Sequence, residues 1–320
     1  MRELVLGVDL GGTKILSGII GTDGGILAKS RLLTPAGGPE RVLDTIAASA
    51  AQLLQASGIR EQEITGIAIA APGPLDFAEG MVRDSPNLGW GRVKVKEELS
   101  RRMGRPVIVE KDTNMAALGE YYYGPYSKCR ELLYITVSTG IGAGIIIGGN
   151  LYRGRAGGAG EFGHMVVDAQ GALCNCGRRG CLEALASGNA ISRQLDEMAG
   201  QGRGQGILAC TPAGKRPGPR ELAAAARQGD EEAELLIARI VQYLGIGIAN
   251  LANLLNPEVI ILGGGVMLGL RDLLLQPVRE YVQRHAFALN REDLIIDCTA
   301  LGDDIVLYGC VAAVSIKDVK

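Results

Sequence analysis

The apolar residues of this chain come in short runs set off by small and polar ones. Leu4–Val8, Ile15–Ile20, Ile64–Ala70, Val107–Val109, Leu132–Val137, Ile145–Ile147, Val259–Leu262 and Leu294–Ile296 are rich in aliphatic and β-branched residues, and their length predicts strands. Longer stretches between them carry apolar residues at helical spacing: Pro39–Ser57, Lys94–Met103, Met115–Tyr123, Leu182–Met198, Pro219–Arg227 and Asp230–Leu255. The last of these stops at Asn256-Pro257, because proline cannot continue a helix. Strands alternating with helices predict an α/β fold. Gly200–Gly218, rich in glycine, proline and basic residues, reads as a surface excursion. Leu301–Ile316 is apolar on most faces and must pack into a core.

Within this pattern one layout occurs twice. Leu4–Lys14 runs as a strand, a small-residue turn (Gly11-Gly12-Thr13) and the start of a second strand. Leu132–Gly149, centred on Ser138-Thr139-Gly140-Ile141-Gly142-Ala143-Gly144, repeats it. Two such halves predict a duplicated protein of two α/β domains with a cleft between them. The length agrees, since 320 residues suit two domains of roughly 150 each.

Composition narrows the class further. The net charge of -2 leaves no basic excess to hold a phosphate backbone, so nucleic acid is not an expected partner. Glycine takes 47 positions, about twice its usual share, and the surplus falls in turns between apolar runs. The apolar N-terminal run is interrupted by Asp9 and does not read as a signal peptide. Leu244–Met267 is the most apolar long stretch, but Asn250, Asn253, Asn256, Pro257 and Glu258 would be costly in hydrocarbon. It therefore predicts a buried helix followed by a strand, and no membrane partner. Of seven cysteines, Cys129, Cys210, Cys298 and Cys310 stand alone, a cytosolic thiol pattern that predicts a cytoplasmic location.

The remaining three cysteines carry the sharpest chemistry. His164-x9-Cys174-x-Cys176-x4-Cys181 offers one imidazole and three thiolates, a complete tetrahedral set for structural Zn²⁺. The alternative is three buried free thiols and a core histidine. Glu161 and Glu183 flank this knot, either held to accept hydrogen bonds from a polyol or solvated at the surface. Asp9-Leu10-Gly11-Gly12-Thr13-Lys14 has the parts of a phosphate cradle, namely bare backbone N–H groups, a hydroxyl and an ammonium, with Asp9 placed to hold Mg²⁺. It is equally an ordinary hairpin turn. Asp112, between a strand and a helix, could accept a proton from a hydroxyl or simply cap that helix. Gly263-Gly264-Gly265 ends a buried strand, as a seat for a flat ring or as a tight strand-to-helix connection.

Taken together, these residues resemble the ROK family (repressors, open reading frames, kinases), and most closely its bacterial glucokinases. The resemblance runs through Asp9–Lys14, Ala71-Pro72-Gly73, Ser85–Trp90, Asp112–Glu120, Ser138–Gly144, Gly157–His164, Cys174–Glu183 and Gly263–Gly265. The Glu-x-Gly-His and Cys-x-Cys-Gly-x-x-Gly-Cys-x-Glu pieces are specific to that family. It implies an actin-like ATPase / sugar kinase fold, with residues 1–116 plus 303–320 in a small domain and 117–302 in a large one. It implies ATP-dependent phosphorylation of a hexose at O6, glucose first and an N-acetylhexosamine second. A sugar-responsive regulator is a distant third, because the phosphate-loop strand begins at Leu4 and leaves no room ahead of it for a DNA-binding element. Asp112 would be the base and Asp9 would lie near Mg²⁺. Gly11, Gly12, Thr13, Lys14, Thr139, Gly140 and Gly142 would hold the ATP phosphates, with Gly263, Gly264 and Gly265 at the adenosine. Gly73, Asn87, Lys111, Glu161, His164 and Glu183 would meet the sugar, and the chain would form a homodimer or homotetramer. One position departs from the family: Lys111 stands where asparagine is usual, and an ammonium donates hydrogen bonds but cannot accept them.

Overall fold

A computed structural model describes residues 3–85, 88–127 and 129–315. Its first sheet has five strands in the order β3-β2-β1-β4-β7, where β1 is Leu4–Leu10, β2 Lys14–Gly21, β3 Ile26–Leu33, β4 Ile64–Ala71 and β7 Val107–Lys111. The β1–β2–β3 meander is antiparallel, while β4 and β7 join it in parallel. A small hairpin, β5 (Leu75–Asp76) with β6 (Met81–Val82), follows β4. The helices here are α1 (Pro39–Ser57), α2 (Val95–Met103) and α3 (Asp112–Tyr123). Val42, Leu43, Ile46 and Leu53 of α1 and Leu99 of α2 pack with Leu6, Val8, Ile15 and Ile69 in one core. β3 escapes the sequence pattern because its residues alternate, with Lys29 and Arg31 among them, as suits a sheet edge.

The second sheet has the order β10-β9-β8-β11-β12, with β8 Leu132–Val137, β9 Ile141–Ile147, β10 Asn150–Leu151, β11 Val259–Gly263 and β12 Ile295–Cys298. Here β11 runs parallel to both β8 and β12. Around it lie α4 (Leu182–Ala186), α5 (Gly188–Gly200), α6 (Gln205–Ala209), α7 (Pro219–Arg227), α8 (Glu231–Leu255), α9 (Gly265–Gly269), α10 (Arg271–His285) and α11 (Ala288–Arg291). The stretch expected as one helix over 182–198 is two, because the hydroxyl of Ser187 caps α5 by accepting the N–H of Ala190. The carboxylate of Asp230 caps α8 in the same way. The excursion at 200–218 contains the short α6. Among the described residues α8 alone is long and apolar enough to cross a membrane, and its apolar side packs on α10, α4 and α7.

The final helix, α12 (Ile305–Ser315), packs on β1, β2, β4 and α3. The chain divides into two compact units. The first is 1–130, 144–160 and 300–320, and the second is 131–143 and 161–299. The sequence boundary at 116/117 falls inside α3, which lies whole in the first unit.

Candidate active site

Site residues gather in two groups, one in each unit. In the first unit β1 and β2 are joined by the Gly11–Thr13 turn, closed by the N–H of Gly11 bonding the carbonyl of Lys14 at 2.9 Å. Thr34 braces that turn, its hydroxyl donating to the Gly11 carbonyl at 2.7 Å and its N–H to the Thr13 carbonyl at 2.9 Å. Gly12 and Thr13 are exposed at the tip, so the hairpin and cradle readings coexist in one structure. Gly12 also borders a hollow of about 240 Å³ lined by Thr34, Gly37, Gly38, Leu88 and Trp90.

Asp9 sits near the end of β1. Its carboxyl is raised to about 7, first by poor hydration and then by the charge of Asp112, with Lys14 opposing and Asp303 adding to the shift. A carboxyl crowded by two others is suited to a divalent cation, which would relieve the repulsion. On this count the residues fit Mg²⁺. Lys14 reaches Asp303 at 3.4 Å, and Arg31 reaches the same carboxylate at 2.6 Å. Asp303 was not among the expected residues. The signal for it was Gly302-Asp303-Asp304 just ahead of the apolar last helix.

Asp112 is the first residue of α3, and its Oδ1 accepts the N–H of its own neighbour Thr113 at 2.8 Å. The helix has no side-chain cap bond at its N-cap, Lys111, so Asp112 is not the N-cap that the sequence allowed. Lys111 is 7% exposed. Next to it Glu110 is buried and accepts three bonds, from the Lys111 N–H and Asn114 Nδ2 at 2.9 Å each and from Arg153 Nε at 2.7 Å. Arg153 in turn lies 4.1 Å over the ring of Phe77. This buried ion pair fixes the strand-to-helix corner that presents Lys111 and Asp112. Sequence reasoning missed it because Arg153 lies 43 residues away. Gly73 has φ +101°, and a Cβ there would meet the Asp84 carbonyl at 2.6 Å, so only glycine lets the post-β4 loop approach that strand-like segment. Asn87 lies outside the described residues.

In the second unit, Phe162–His164 forms a short 3₁₀ turn with Glu161, exposed, at its start. His164 Nδ1 lies 3.6 Å from Cys174 Sγ, and Cys176 Sγ lies 3.5 Å from Cys181 Sγ. All four ligand atoms lie within 4.8 Å of one another. Two sulfurs about 2.3 Å from a tetrahedral zinc would be about 3.8 Å apart, so this set fits Zn²⁺. Nδ1 is the nitrogen turned to the sulfur, which leaves Nε2 for a hydroxyl. The thiol of Cys176 is pulled down to about 6 by the backbone and side chain of Arg178, while burial pushes Cys181 up to about 12. Metal ligation needs both as thiolates, and it must supply what burial withholds from Cys181.

Glu183, in the first turn of α4, accepts the N–H of Ile141 on its Oε2 at 2.9 Å. That places it where the Ser138–Gly140 turn enters β9. At the end of β11, a Cβ on Gly263 would meet the Tyr134 hydroxyl at 2.3 Å, and one on Gly264 would meet Thr136 Oγ1 at 2.5 Å. Packing on β8 therefore already accounts for both glycines. Gly265 has looser surroundings, its nearest neighbour being Ser138 Oγ at 3.8 Å. A hollow of about 370 Å³ in the second unit, lined by Arg193, Met198, Arg203, Glu232, Leu235 and Tyr243 among others, contains none of these site residues.

The arrangement has relatives. The ROK family matches residues 5–316. The chain belongs to the ROK family. It is 38% identical over 287 residues to a glucokinase of Streptomyces coelicolor, covering 88% of this chain and 87% of that one. It is 34% identical over 290 residues to an N-acetylmannosamine kinase of Shigella boydii, covering 89% and 90%. Among solved structures, a ROK glucokinase of Streptomyces griseus in complex with glucose and AMPPNP superimposes with a TM-score of 0.84 at 35% identity, covering 97% of this chain and 98% of that one. The fold of this ROK protein is the actin-like ATPase / sugar kinase fold, built from two α/β halves.

Proposed function

We propose that this ROK protein is an ATP-dependent hexose kinase that transfers the γ-phosphoryl group to O6, with glucose as its preferred substrate. The observation that carries the reading is the meeting of Asp112, at the start of α3, with Asp9 near the end of β1 and Lys14 at the start of β2. A base, a cation-seeking carboxyl and an ammonium lie together there, as phosphoryl transfer requires. The glucokinase relatives support the same reaction and the same sugar.

In this reading a sugar hydroxyl, a poor nucleophile at neutral pH, gives its proton to the Asp112 carboxylate as its oxygen approaches phosphorus. The N–H groups of Gly11, Gly12 and Thr13, the Lys14 ammonium and the turn Thr139–Gly142 hold the phosphates. Magnesium, when bound, would neutralise charge building on the phosphate oxygens. Asp9 would hold it directly or through water. Glu161, His164 Nε2 and Glu183 would fix sugar hydroxyls, and Lys111 would donate to one more. Zinc at His164, Cys174, Cys176 and Cys181 would lock the loop that carries the first two.

A second reading, an N-acetylhexosamine as acceptor, is favoured by Lys111 in place of the family's usual asparagine and by the N-acetylmannosamine kinase relative. A panel of hexoses and N-acetylhexosamines, assayed for coupled ADP release, decides between them. Glucose should give the highest kcat/KM. A preference for N-acetylmannosamine or N-acetylglucosamine would replace glucose, and no turnover with any sugar would remove the kinase reading.

A further inference from the structure

The segment that leaves the cysteine knot turns back onto the second glycine turn and holds it at several points. Cys181, the last ligand of the knot, is the N-cap of α4. Two residues on, Glu183 Oε2 accepts the Ile141 N–H at 2.9 Å. Gly140 is so close that a Cβ on it would sit 2.5 Å from the same oxygen. At the far end of α4 the chain turns at Ser187, and the N–H groups of Gly188 and Asn189 bond the carbonyls of Ser138 at 2.8 Å and Thr139 at 3.2 Å. From the other side of the knot, Gly163 lies against the Ile141 carbonyl, which a Cβ would approach to 2.1 Å. Residues 138–141 are thus strapped by residues 181–189 and backed by the turn that carries His164.

A phosphate-binding turn acts by aiming its N–H groups, so its peptide planes must be fixed before the anion arrives. Glu183 fixes the Ile141 plane, and in doing so it takes that N–H away from any phosphate. A carboxylate facing a phosphate-binding turn also repels the anion, a cost that makes sense only if the geometry it imposes is worth more. We infer that Glu183 is a positioning residue for the nucleotide, and that zinc in the knot raises nucleotide affinity through the 181–189 strap in the absence of any sugar. The inference rests on the reading of 138–142 as a phosphate loop. It implies coupling in both directions, so nucleotide should also tighten zinc binding by the same factor.

The test is calorimetric binding of Mg²⁺–AMPPNP without sugar, to the wild-type protein, to Glu183→Gln, to Glu183→Ala and to zinc-stripped wild type with magnesium restored. Glutamine keeps an oxygen that can accept the Ile141 N–H, so E183Q should bind within about threefold of wild type. E183A and the stripped protein should each lose about tenfold, and stripping E183A should cost little more, because both changes release the same strap. Amide exchange gives an independent readout: the Ile141 N–H should be protected in zinc-loaded wild type and exchange faster after stripping. Should E183A fail to fold, that comparison in wild type decides alone. E183A that binds AMPPNP like wild type, or an Ile141 amide indifferent to zinc, overturns the inference. Wild type that binds AMPPNP but phosphorylates no sugar would sink the kinase proposal and leave this one standing, while wild type that binds no nucleotide overturns both.

Discussion

At Asp112 a single side chain carries both chemistry and local structure. Its Oδ1 accepts the N–H of Thr113, so substitution by asparagine keeps size and an acceptor oxygen and removes only basicity. Asp112→Asn should therefore melt as wild type does while kcat falls by about two orders of magnitude or more, with sugar KM little changed. Near-normal turnover under saturating ATP and sugar would reduce Asp112 to a helix-start residue. Cys176 offers a separate test, because it is exposed and Arg178 pulls its thiol below the ordinary range. Cys176→Ser should weaken metal binding by more than the roughly 10–100-fold that follows loss of an outer-shell partner, and sugar affinity should fall before the fold does. Metal analysis and sugar titration of the same preparation check it: an unchanged zinc content would remove Cys176 from the ligands, and untreated wild type with well under one zinc per chain would mean the knot is only a thiol cluster. The knot was legible in the sequence because its ligands lie within 18 residues, where spacing alone limits geometry. Asp303 beside Asp9, and Arg153 on Glu110, were not legible, since chain folding brings each pair together over long separations.

At the scale of elements, strands buried on both faces read directly as continuous apolar runs, and elements that bury only one side were harder to read. Runs such as Ile64–Ala70 and Val259–Leu262 lie inside their sheets and read directly. α10 went unread because Pro277 and its many charges hide a modest apolar stripe of Leu274, Leu275, Val278 and Val282. The break at Ser187 shows the reverse case, where helical spacing on both sides hides the cap that Ser187-Gly188-Asn189 provides. The α3–α12 pair carries a sharper consequence. Gly309 lies so close to α3 that a Cβ would stand 1.8 Å from the Met115 carbonyl, and on α3 a Cβ at Gly119 would stand 2.3 Å from the Ile305 carbonyl. Glycine inside a helix usually costs about 1 kcal/mol against alanine, so an exposed Gly→Ala change would stabilise. Here backbone must move instead. Gly309→Ala should destabilise by about 1–3 kcal/mol, read as a lower Tm in thermal unfolding. A raised Tm would show that the two helices do not approach as closely as described.

For the molecule as a whole, the order of the chain makes one unit more dependent on distant contacts than the other. The first unit is assembled from three pieces, residues 1–130, 144–160 and 300–320, whereas the second uses two. Its closing piece is α12, whose Leu307 and Val311 are fully buried with Val5, Leu16 and Ile20. The apolar character of Leu301–Ile316 made burial legible, but not the partner, because an apolar helix can satisfy any core. Leu307→Ala removes buried methyls from that seam and leaves a cavity, at a cost of about 2–5 kcal/mol. The loss should be felt where the contacts are. Hydrogen exchange on this variant should show faster opening of amides in β1, β2 and β4, with β8, β11 and the zinc knot at wild-type protection. Zinc content should stay the same, because no ligand lies in the first unit. Acceleration spread evenly over both sheets would instead mean that the two units open as a single cooperative block, and that α12 stabilises the whole chain rather than the unit it completes.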